Sequence, residues 1–258
     1  MHSTPFATSP DGIQIAYDAT GTGPSIVLLH GEGMTRQRWY DGGYVERLIQ
    51  DFQVITMDIR GNGESDKPTN PADYTTDKLC DDILAVTEAC QVEHFTLWGF
   101  SKGGNIGRYL ASQSARVAKV IIIGVPFGSG ASGDFRQFIL SFREHWTPIM
   151  QAQLEGTLDL QVLSKEDRDQ LQRGDIPIRL ATMTAVLDWA SIKPGDLLCP
   201  ALWLIGSRNE AAMASLREYE EALQQSKVRV HVAEGLDHAQ EFTEIERVLP
   251  TMLAFTQA

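Results

Sequence analysis

The sequence predicts an α/β protein with a largely parallel sheet, and three features lead to this prediction. Short, continuous apolar runs recur along the chain, as expected for strands that are covered on both faces. Helical patterns, with apolar residues three or four positions apart, lie between these runs. The alternation of strands and helices is typical of a sheet built from parallel strands with helical crossovers.

Six apolar runs are the predicted parallel strands, at residues 26–29, 54–57, 95–98, 120–123, 201–205 and 228–233. An earlier run at 13–17 is followed by the turn signal Gly-Thr-Gly-Pro, and we expect it to form an antiparallel arm. The helices between the strands are predicted at 76–90, 104–114 and 215–225. In the first of them Leu79, Ile83 and Val86 recur with helical spacing.

The regular spacing breaks between the strands at 120–123 and 201–205. This stretch opens on a Gly- and Ser-rich segment at 128–133, which we expect to be a flexible linker. Helical patterns follow at 135–147, 149–160, 165–173 and 178–190. We therefore predict a core made of residues 1–126 and 199–258, with a helical insertion at 127–198. Most of its aromatic residues are expected to pack on the core, and a few to line a pocket roof.

Composition and charge narrow the class of protein. The chain has 258 residues, 43% hydrophobic and 22% charged, which is ordinary for a globular protein with its own core. Its net charge of −12 disfavours nucleic acid and anionic lipid as partners. No apolar run approaches the roughly 18 residues of a membrane span, and the first residues lack the pattern of a signal peptide. We expect a cytoplasmic protein, monomeric or homo-oligomeric, that binds a small-molecule substrate.

The sharpest chemical motif is Gly-Phe-Ser-Lys-Gly at residues 99–103. It lies between a predicted strand and a predicted helix, where the glycines permit a tight turn that presents the Ser101 hydroxyl. The following helix directs its positive end at the same point. Ser101 is therefore the predicted nucleophile. The structural alternative is a glycine-rich turn in which the serine only caps the helix.

A second motif, His-Gly-Glu-Gly at residues 30–33, directly follows the strand at 26–29. We expect its backbone to offer the N–H of Glu32, while the N–H of Lys102 comes from the turn that holds the nucleophile. Two such donors that converge on one oxygen form an oxyanion hole. The side chain of His30 is expected to fix the turn rather than to act as a base.

The general base is predicted to be His238, one of six histidines in the chain. It follows the last predicted strand, in a loop before a terminal helix, and such loops are where an α/β sheet assembles its sites. The other histidines lie near the N-terminus, beside or within a strand, in the insertion, or in the turn at 30–33. The alternative for His238 is an ordinary surface histidine.

Taken together, these features resemble the α/β-hydrolase superfamily over the whole chain. The resemblance rests on the turn at 30–31, the Asp-x-Arg-Gly-x-Gly-x-Ser string at 58–65, the Ser101 motif, the helical insertion and His238. In that family the string is structural, so Asp58 and Arg60 are interpreted as scaffold. The resemblance implies an α/β-hydrolase fold, with a mostly parallel central sheet flanked by helices and an inserted helical cap. It also implies a serine hydrolase with nucleophile, acid and base in that chain order.

The third member of the triad departs from the family pattern. The family places its acid in a Gly-x-x-Asp turn, and here residues 206–210 read Gly-Ser-Arg-Asn-Glu. The family's other acid position, after the strand at 120–123, has no carboxylate. Three alternatives stay open: Glu210 is the acid, Asn209 orients the histidine as a neutral acceptor, or the triad is incomplete. The spacing from Gly206 favours Asn209, and Asp237 is a poor candidate because adjacent side chains usually diverge.

The type of nucleophile selects among the activities of the family. Its dehalogenases and epoxide hydrolases use Asp where Ser101 stands, so serine leaves esterases, lactonases, thioesterases, carbon–carbon bond hydrolases and cofactor-free haloperoxidase-like esterases. We predict a carboxylesterase-like serine hydrolase that cleaves a small ester through an acyl-enzyme, without metal or organic cofactor. The three cysteines show no spacing typical of a metal site. The alternative is a binding or receptor protein of this fold with little turnover, because Asn209 fills the acid slot.

Overall fold

A computed structural model of the chain describes residues 3–258 and contains one eight-stranded sheet within them. Met1 and His2 lie outside the described residues. The strands are β1 (Phe6–Thr8), β2 (Gln14–Thr20), β3 (Ser25–Leu29), β4 (Gln53–Met57), β5 (Phe95–Phe100), β6 (Val117–Ile123), β7 (Ala201–Gly206) and β8 (Val228–Ala233). Their order across the sheet is β1-β2-β4-β3-β5-β6-β7-β8. The β1–β2 and β2–β4 pairs are antiparallel, and all other neighbouring pairs are parallel.

Helices connect these strands. They are α1 (Gln37–Asp41), α2 (Tyr44–Leu48), α3 (Thr76–Ala89), α4 (Lys102–Gln113), α5 (Gly133–Leu154), α6 (Lys165–Arg173), α7 (Ile176–Val186), α8 (Glu210–Glu218), α9 (Glu220–Gln224), α10 (Gln240–Thr243) and α11 (Ile245–Gln257). Two short 3₁₀ helices cover Pro71–Asp73 and Pro194–Asp196. Among the described residues, no helix combines the length and apolar character that a membrane span requires.

Both faces of the central strands are covered, which explains why their sequences are continuously apolar. Ile26, Val27, Leu28 and Leu29 of β3 are all fully buried, and a strand in such a position has no solvent face that would require alternation. Because β3, β5, β6, β7 and β8 are parallel, their carboxyl ends share one edge of the sheet. The predicted α/β-hydrolase fold is therefore confirmed, and this edge is where such a sheet builds a site.

The chain divides into two compact units. The first comprises residues 3–66, 76–128 and 191–258, and contains the sheet. The second comprises 67–75 and 129–190, whereas the sequence predicts an insertion at 127–198 alone. Residues 67–75 join the second unit because Trp189 Nε1 donates a hydrogen bond to the carbonyl of Tyr74 at 3.0 Å, and α7 packs against the 3₁₀ helix Pro71–Asp73.

Inside the second unit, two local predictions are wrong. The break expected at Pro148 does not occur, and α5 continues through it. A proline removes one hydrogen bond of the helix, but α5 is also held by packing on α7, and it buries Ile139, Phe142 and Trp146. The segment at 128–133 is not a loose linker, because Gly130 and Ala131 are buried and Ser129 Oγ donates to the carbonyl of Ala131 at 2.9 Å.

The loop after β4 is a buried ion-pair scaffold. The Asp58 carboxylate accepts hydrogen bonds from the backbone N–H groups of Arg36, at 2.7 Å, and Glu64, at 2.9 Å. Arg60 is fully buried and pairs with Asp11 at 2.8 Å and Asp82 at 2.6 Å. Both side chains are thus occupied by structural contacts, as the sequence interpretation of this loop expects.

Candidate active site

Ser101 lies in a sharp turn between β5 and α4. Its backbone has φ 51° and ψ −118°, a left-handed conformation that costs a non-glycine residue free energy and is typical of functional positions. Its side chain makes no capping hydrogen bond to the helix. The alternative in which the serine only caps α4 is therefore not what the structure shows.

The glycines on either side of Ser101 permit this turn because other backbone lies too close for a side chain. A Cβ at Gly99 would lie 2.3 Å from the carbonyl oxygen of Gly103, and a Cβ at Gly103 would lie 2.3 Å from that of Leu29. Any larger residue would force β5, α4 and the end of β3 apart. The motif is thus a packing requirement of the turn that presents Ser101.

His238 is hydrogen bonded to Ser101. Its Nε2 lies 3.0 Å from Ser101 Oγ, within the range expected of a general base and its nucleophile. The ring stacks on Phe100, with centroids 5.1 Å apart and an interplanar angle of 21°. Strand β8 and the turn after it thus bring the predicted base to the predicted nucleophile.

The other nitrogen of His238 contacts a carboxylate outside the predicted triad. Glu241 Oε2 lies 2.8 Å from His238 Nδ1, and the Glu241 side chain is fully buried. Its Oε1 accepts a hydrogen bond from the Gly206 N–H at 2.6 Å. A carboxylate can only accept from a neutral imidazole, so this contact places the histidine proton on Nδ1 and leaves Nε2 as an acceptor for Ser101.

The two residues that the sequence offers for the acid position, Glu210 and Asn209, and the less favoured Asp237 do not present an acceptor to His238. Glu210 begins α8 and is exposed, with no contact to His238 shown. Asn209 is close, with Nδ2 3.4 Å from His238 Nδ1, but it presents its amide NH₂, because its Oδ1 accepts from Ala212 N and caps α8. Asn209 therefore does not act as the neutral acceptor that was predicted. Asp237 Oδ1 accepts from the N–H of Gln240, the first residue of α10, at 3.0 Å.

A sequence signal for Glu241 does exist. Residues three apart on a helical turn lie on one face, and His238 and Glu241 have that spacing across the turn that leads into α10. The signal is weak because Glu244 and Glu246 follow within the next turns of the chain. Burial distinguishes them, since Glu241 is buried and the other two are exposed.

The two residues predicted to provide the oxyanion hole lie together. The carbonyl of His30 accepts from Gly103 N at 3.1 Å, which ties the turn after β3 to the Ser101 turn. The side chains of Glu32 and Lys102 form an ion pair at 2.8 Å. Lys102 is the first residue of α4, so its N–H has no partner within the helix and belongs to the positive end of the helix dipole.

His30 has both ring nitrogens engaged by backbone. Its Nδ1 lies 2.8 Å from the carbonyl of Gly31, and its Nε2 accepts from Ile59 N at 3.1 Å. The ring is fully buried, and this burial lowers the pKa of His30 to about 4. As expected from the sequence, the side chain fixes the turn and has no free nitrogen with which to act as a base.

The neutral state of His30 predicts a loss of stability in acid. Its pKa in the unfolded chain, 6.5, lies above its folded value of about 4, so the unfolded state binds the proton first as the pH falls. Unfolding is then favoured by up to about 3 kcal/mol between pH 6.5 and pH 4. Urea unfolding across this range should show the decline, and NMR should show the His30 ring neutral at pH 5.5. A His30 ring that gains its proton above pH 6 would contradict this.

The described part of the chain contains no cluster of potential metal ligands. Among residues 3–258, no group of three or more His, Cys, Asp or Glu side chains is arranged to hold a metal ion. The three cysteines are free thiols, and Cys80 and Cys199 are buried.

A mostly parallel sheet with a serine in a strained strand–helix turn, hydrogen bonded to a histidine, is typical of the α/β-hydrolase fold. Residues 24–146 match the family model of the α/β-hydrolase fold. This matched part, just under half of the chain, belongs to that family, and the described chain has the α/β-hydrolase fold.

One of the curated proteins similar to this chain is a hydrolase. A zearalenone hydrolase of Bionectria ochroleuca is 31% identical over 107 residues, which are 41% of this chain and 40% of that protein. The chain spans less than half the length of the first curated relatives that it matches.

Solved structures show the same fold over nearly the whole chain. A thermophilic esterase from Thermogutta terrifontis has a TM-score of 0.73 at 22% identity, and covers 99% of this chain and 98% of its own. An epoxide hydrolase from hot-environment metagenomes has a TM-score of 0.74 at 21% identity, with 99% of both chains covered. Esterases and epoxide hydrolases are thus about equally similar in fold, and the choice between these reactions rests on the site.

Proposed function

We propose that the protein is a serine hydrolase that cleaves a small carboxylic ester through an acyl-enzyme, with Ser101, His238 and Glu241 as its triad. The observation that carries the proposal is the continuous chain of contacts from Ser101 Oγ to His238 Nε2, at 3.0 Å, and from His238 Nδ1 to Glu241 Oε2, at 2.8 Å. This is the relation of nucleophile, base and orienting group that serine hydrolases share on unrelated folds.

In the first half of the reaction, Ser101 Oγ attacks the ester carbonyl carbon while its proton passes to His238 Nε2. The carbonyl oxygen becomes an oxyanion, which the N–H groups of Glu32 and Lys102 stabilise. When the carbon–oxygen bond to the alcohol breaks, His238 returns the proton to the leaving alkoxide. The alcohol departs, and the acyl group stays on Ser101.

In the second half, His238 takes a proton from water, and the resulting hydroxide attacks the acyl carbon. Collapse of this second oxyanion intermediate breaks the bond to Ser101 Oγ, which regains the proton from His238. A carboxylic acid is released, and the enzyme returns to its starting state. In both halves Glu241 stays ionised and stabilises the imidazolium that forms beside it.

The buried Glu241 carboxylate argues against the alternative, which is a binding protein with little turnover. That hypothesis was motivated by the lack of an acid in the slot that Asn209 fills. Glu241 supplies a negative charge at the Nδ1 side of His238 from another element, α10. The reason to expect an inactive site is thereby removed.

A chromogenic ester with a short acyl chain tests the proposed function directly. The wild-type protein should hydrolyse it with saturation kinetics, and a burst of alcohol equal to the enzyme concentration should precede the steady state if deacylation is slow. A thioester and an epoxide of similar size should be assayed in parallel. Turnover of the epoxide without turnover of any acyl substrate would contradict the proposal.

The oxyanion hole can be tested by removing a backbone donor. Glu32→Pro deletes the proposed N–H and should lower kcat by about 10²- to 10³-fold, since the developing oxyanion loses one of its two donors. Glu32→Gln is the matched control, because it keeps the N–H and an oxygen that can face the Lys102 ammonium. It should stay within about tenfold of wild type, at a cost set by the lost ion pair. Equal losses in the two folded variants would mean that the side chain matters and the N–H does not.

A further inference from the structure

The Asn209 amide lies beside the carboxylate that contacts His238. Its Nδ2 donates to Glu241 Oε1 at 2.9 Å and lies 3.2 Å from Oε2. The same nitrogen lies 2.9 Å from the carbonyl oxygen of Gly124 and 3.4 Å from His238 Nδ1. Both Asn209 and Glu241 are buried. The amide therefore has acceptors on two sides, and only a donor group fits between them.

The same small volume excludes a second negative charge. A carboxylate oxygen in place of Nδ2 would face the Glu241 oxygens at about hydrogen-bond distance, and like charges this close cannot both stay ionised. There is no spare room on the Gly124 side either. A Cβ at position 124 would lie 2.1 Å from Glu241 Oε2 and 2.7 Å from His238 Nδ1. Position 124 thus leaves room for the Glu241 carboxylate, and position 209 holds it with a neutral donor.

We propose that Asn209 is the positioning residue of Glu241, and that positions 209 and 241 share a single negative charge that can be moved from one to the other. This inference rests on the proposed function, since it concerns the acid of that triad. A negative charge at position 209 is harmful beside Glu241 but useful once Glu241 is neutral. Its oxygen would then lie about where Nδ2 lies now, 3.4 Å from His238 Nδ1.

The test is a cycle of three variants on the full chain: Asn209→Asp, Glu241→Gln, and both together. Hydrolysis of the chromogenic ester is measured for each as kcat and KM, with the urea unfolding midpoint as a check of folding. Asn209→Asp alone should lower kcat at least tenfold. The double variant should recover at least tenfold in kcat over Glu241→Gln alone, with KM little changed. Glu210→Gln, which alters the exposed neighbour, is the control and should be silent.

The sign of the coupling separates the possible outcomes. If Asn209→Asp harms the wild type and rescues Glu241→Gln, the shared charge is supported. Two residues in contact are expected to couple in any case, but a merely structural role of Asn209 gives no reason for the same substitution to change from harmful to beneficial. If Glu241→Gln lowers kcat but the second substitution gives no rescue in a folded protein, this inference is wrong and the triad stands. If Glu241→Gln leaves kcat unchanged, the acid role of Glu241 fails, and the proposed function must be revised first.

Discussion

Replacing Ser101 by Ala should lower ester hydrolysis by about 10⁴- to 10⁶-fold, the range that removal of a triad nucleophile produces elsewhere. The reason is specific to the site: among residues 3–258, the oxygen hydrogen bonded to His238 Nε2 is Ser101 Oγ, at 3.0 Å. KM should change little, since the substitution removes one oxygen atom and leaves the neighbouring turn intact. Steady-state kinetics with the chromogenic ester measures both quantities.

The Ser101→Ala protein must also be shown to fold, so that lost activity can be assigned to the lost hydroxyl. Ala at position 101 must adopt φ near 51°, as Ser101 does, so any added strain should be small. A urea midpoint close to that of wild type would show that lost activity is not lost folding. Retention of more than a few per cent of the activity in a folded Ser101→Ala protein would exclude Ser101 as the nucleophile.

The second large effect is expected for Glu241→Gln, which should lower kcat by about 10³- to 10⁴-fold. An amide in place of the acid can present its NH₂ to His238 Nδ1, so that the ring proton moves to Nε2 and the base can no longer accept from serine. The backbone donor Gly206 N, which contacts Glu241 Oε1 at 2.6 Å, favours this orientation because it retains the amide oxygen. The loss should fall on kcat and kcat/KM alike.

Glu210→Gln is the matched control for this change, because it neutralises an exposed carboxylate at the start of α8. We expect it to be silent, within about twofold in kcat, since surface charges that far from any partner contribute little. The opposite result, with Glu210→Gln inactive and Glu241→Gln active, would restore the acid that the sequence first suggested.

The architecture was readable from the sequence because its signals are local. Most of the central strands are nearly continuous apolar runs, and the glycines at 99 and 103 mark the turn by their spacing alone. The features of the fold that were not predicted, strand β1 and the continuous helix α5, have physical reasons as well. Strand β1 has only three residues, too few for a pattern, and α5 continues through Pro148 because packing on α7 outweighs one lost hydrogen bond.

The acid of the site could not be assigned in the same way. Its place depends on the distance between the ends of β6 and β7 and the first turn of α10, which no local pattern encodes. Asn209 occupies the position that the motif indicates, yet its Oδ1 is used to cap α8. Glu241 reaches His238 because the glycine at 124 leaves space for its carboxylate. Three segments far apart in sequence must be assembled before the choice becomes visible.

We expect Ser101 to be a nucleophile that the residues around it activate. The most direct measurement is the reaction of the folded protein with a fluorophosphonate, in which Ser101 Oγ forms a bond to phosphorus and fluoride leaves. Peptide mass spectrometry should find one adduct per chain, on Ser101, which is absent from Ser101→Ala and forms far more slowly in Glu241→Gln. An unlabelled Ser101 in folded wild-type protein, or a label on another residue that persists in Ser101→Ala, would contradict the account.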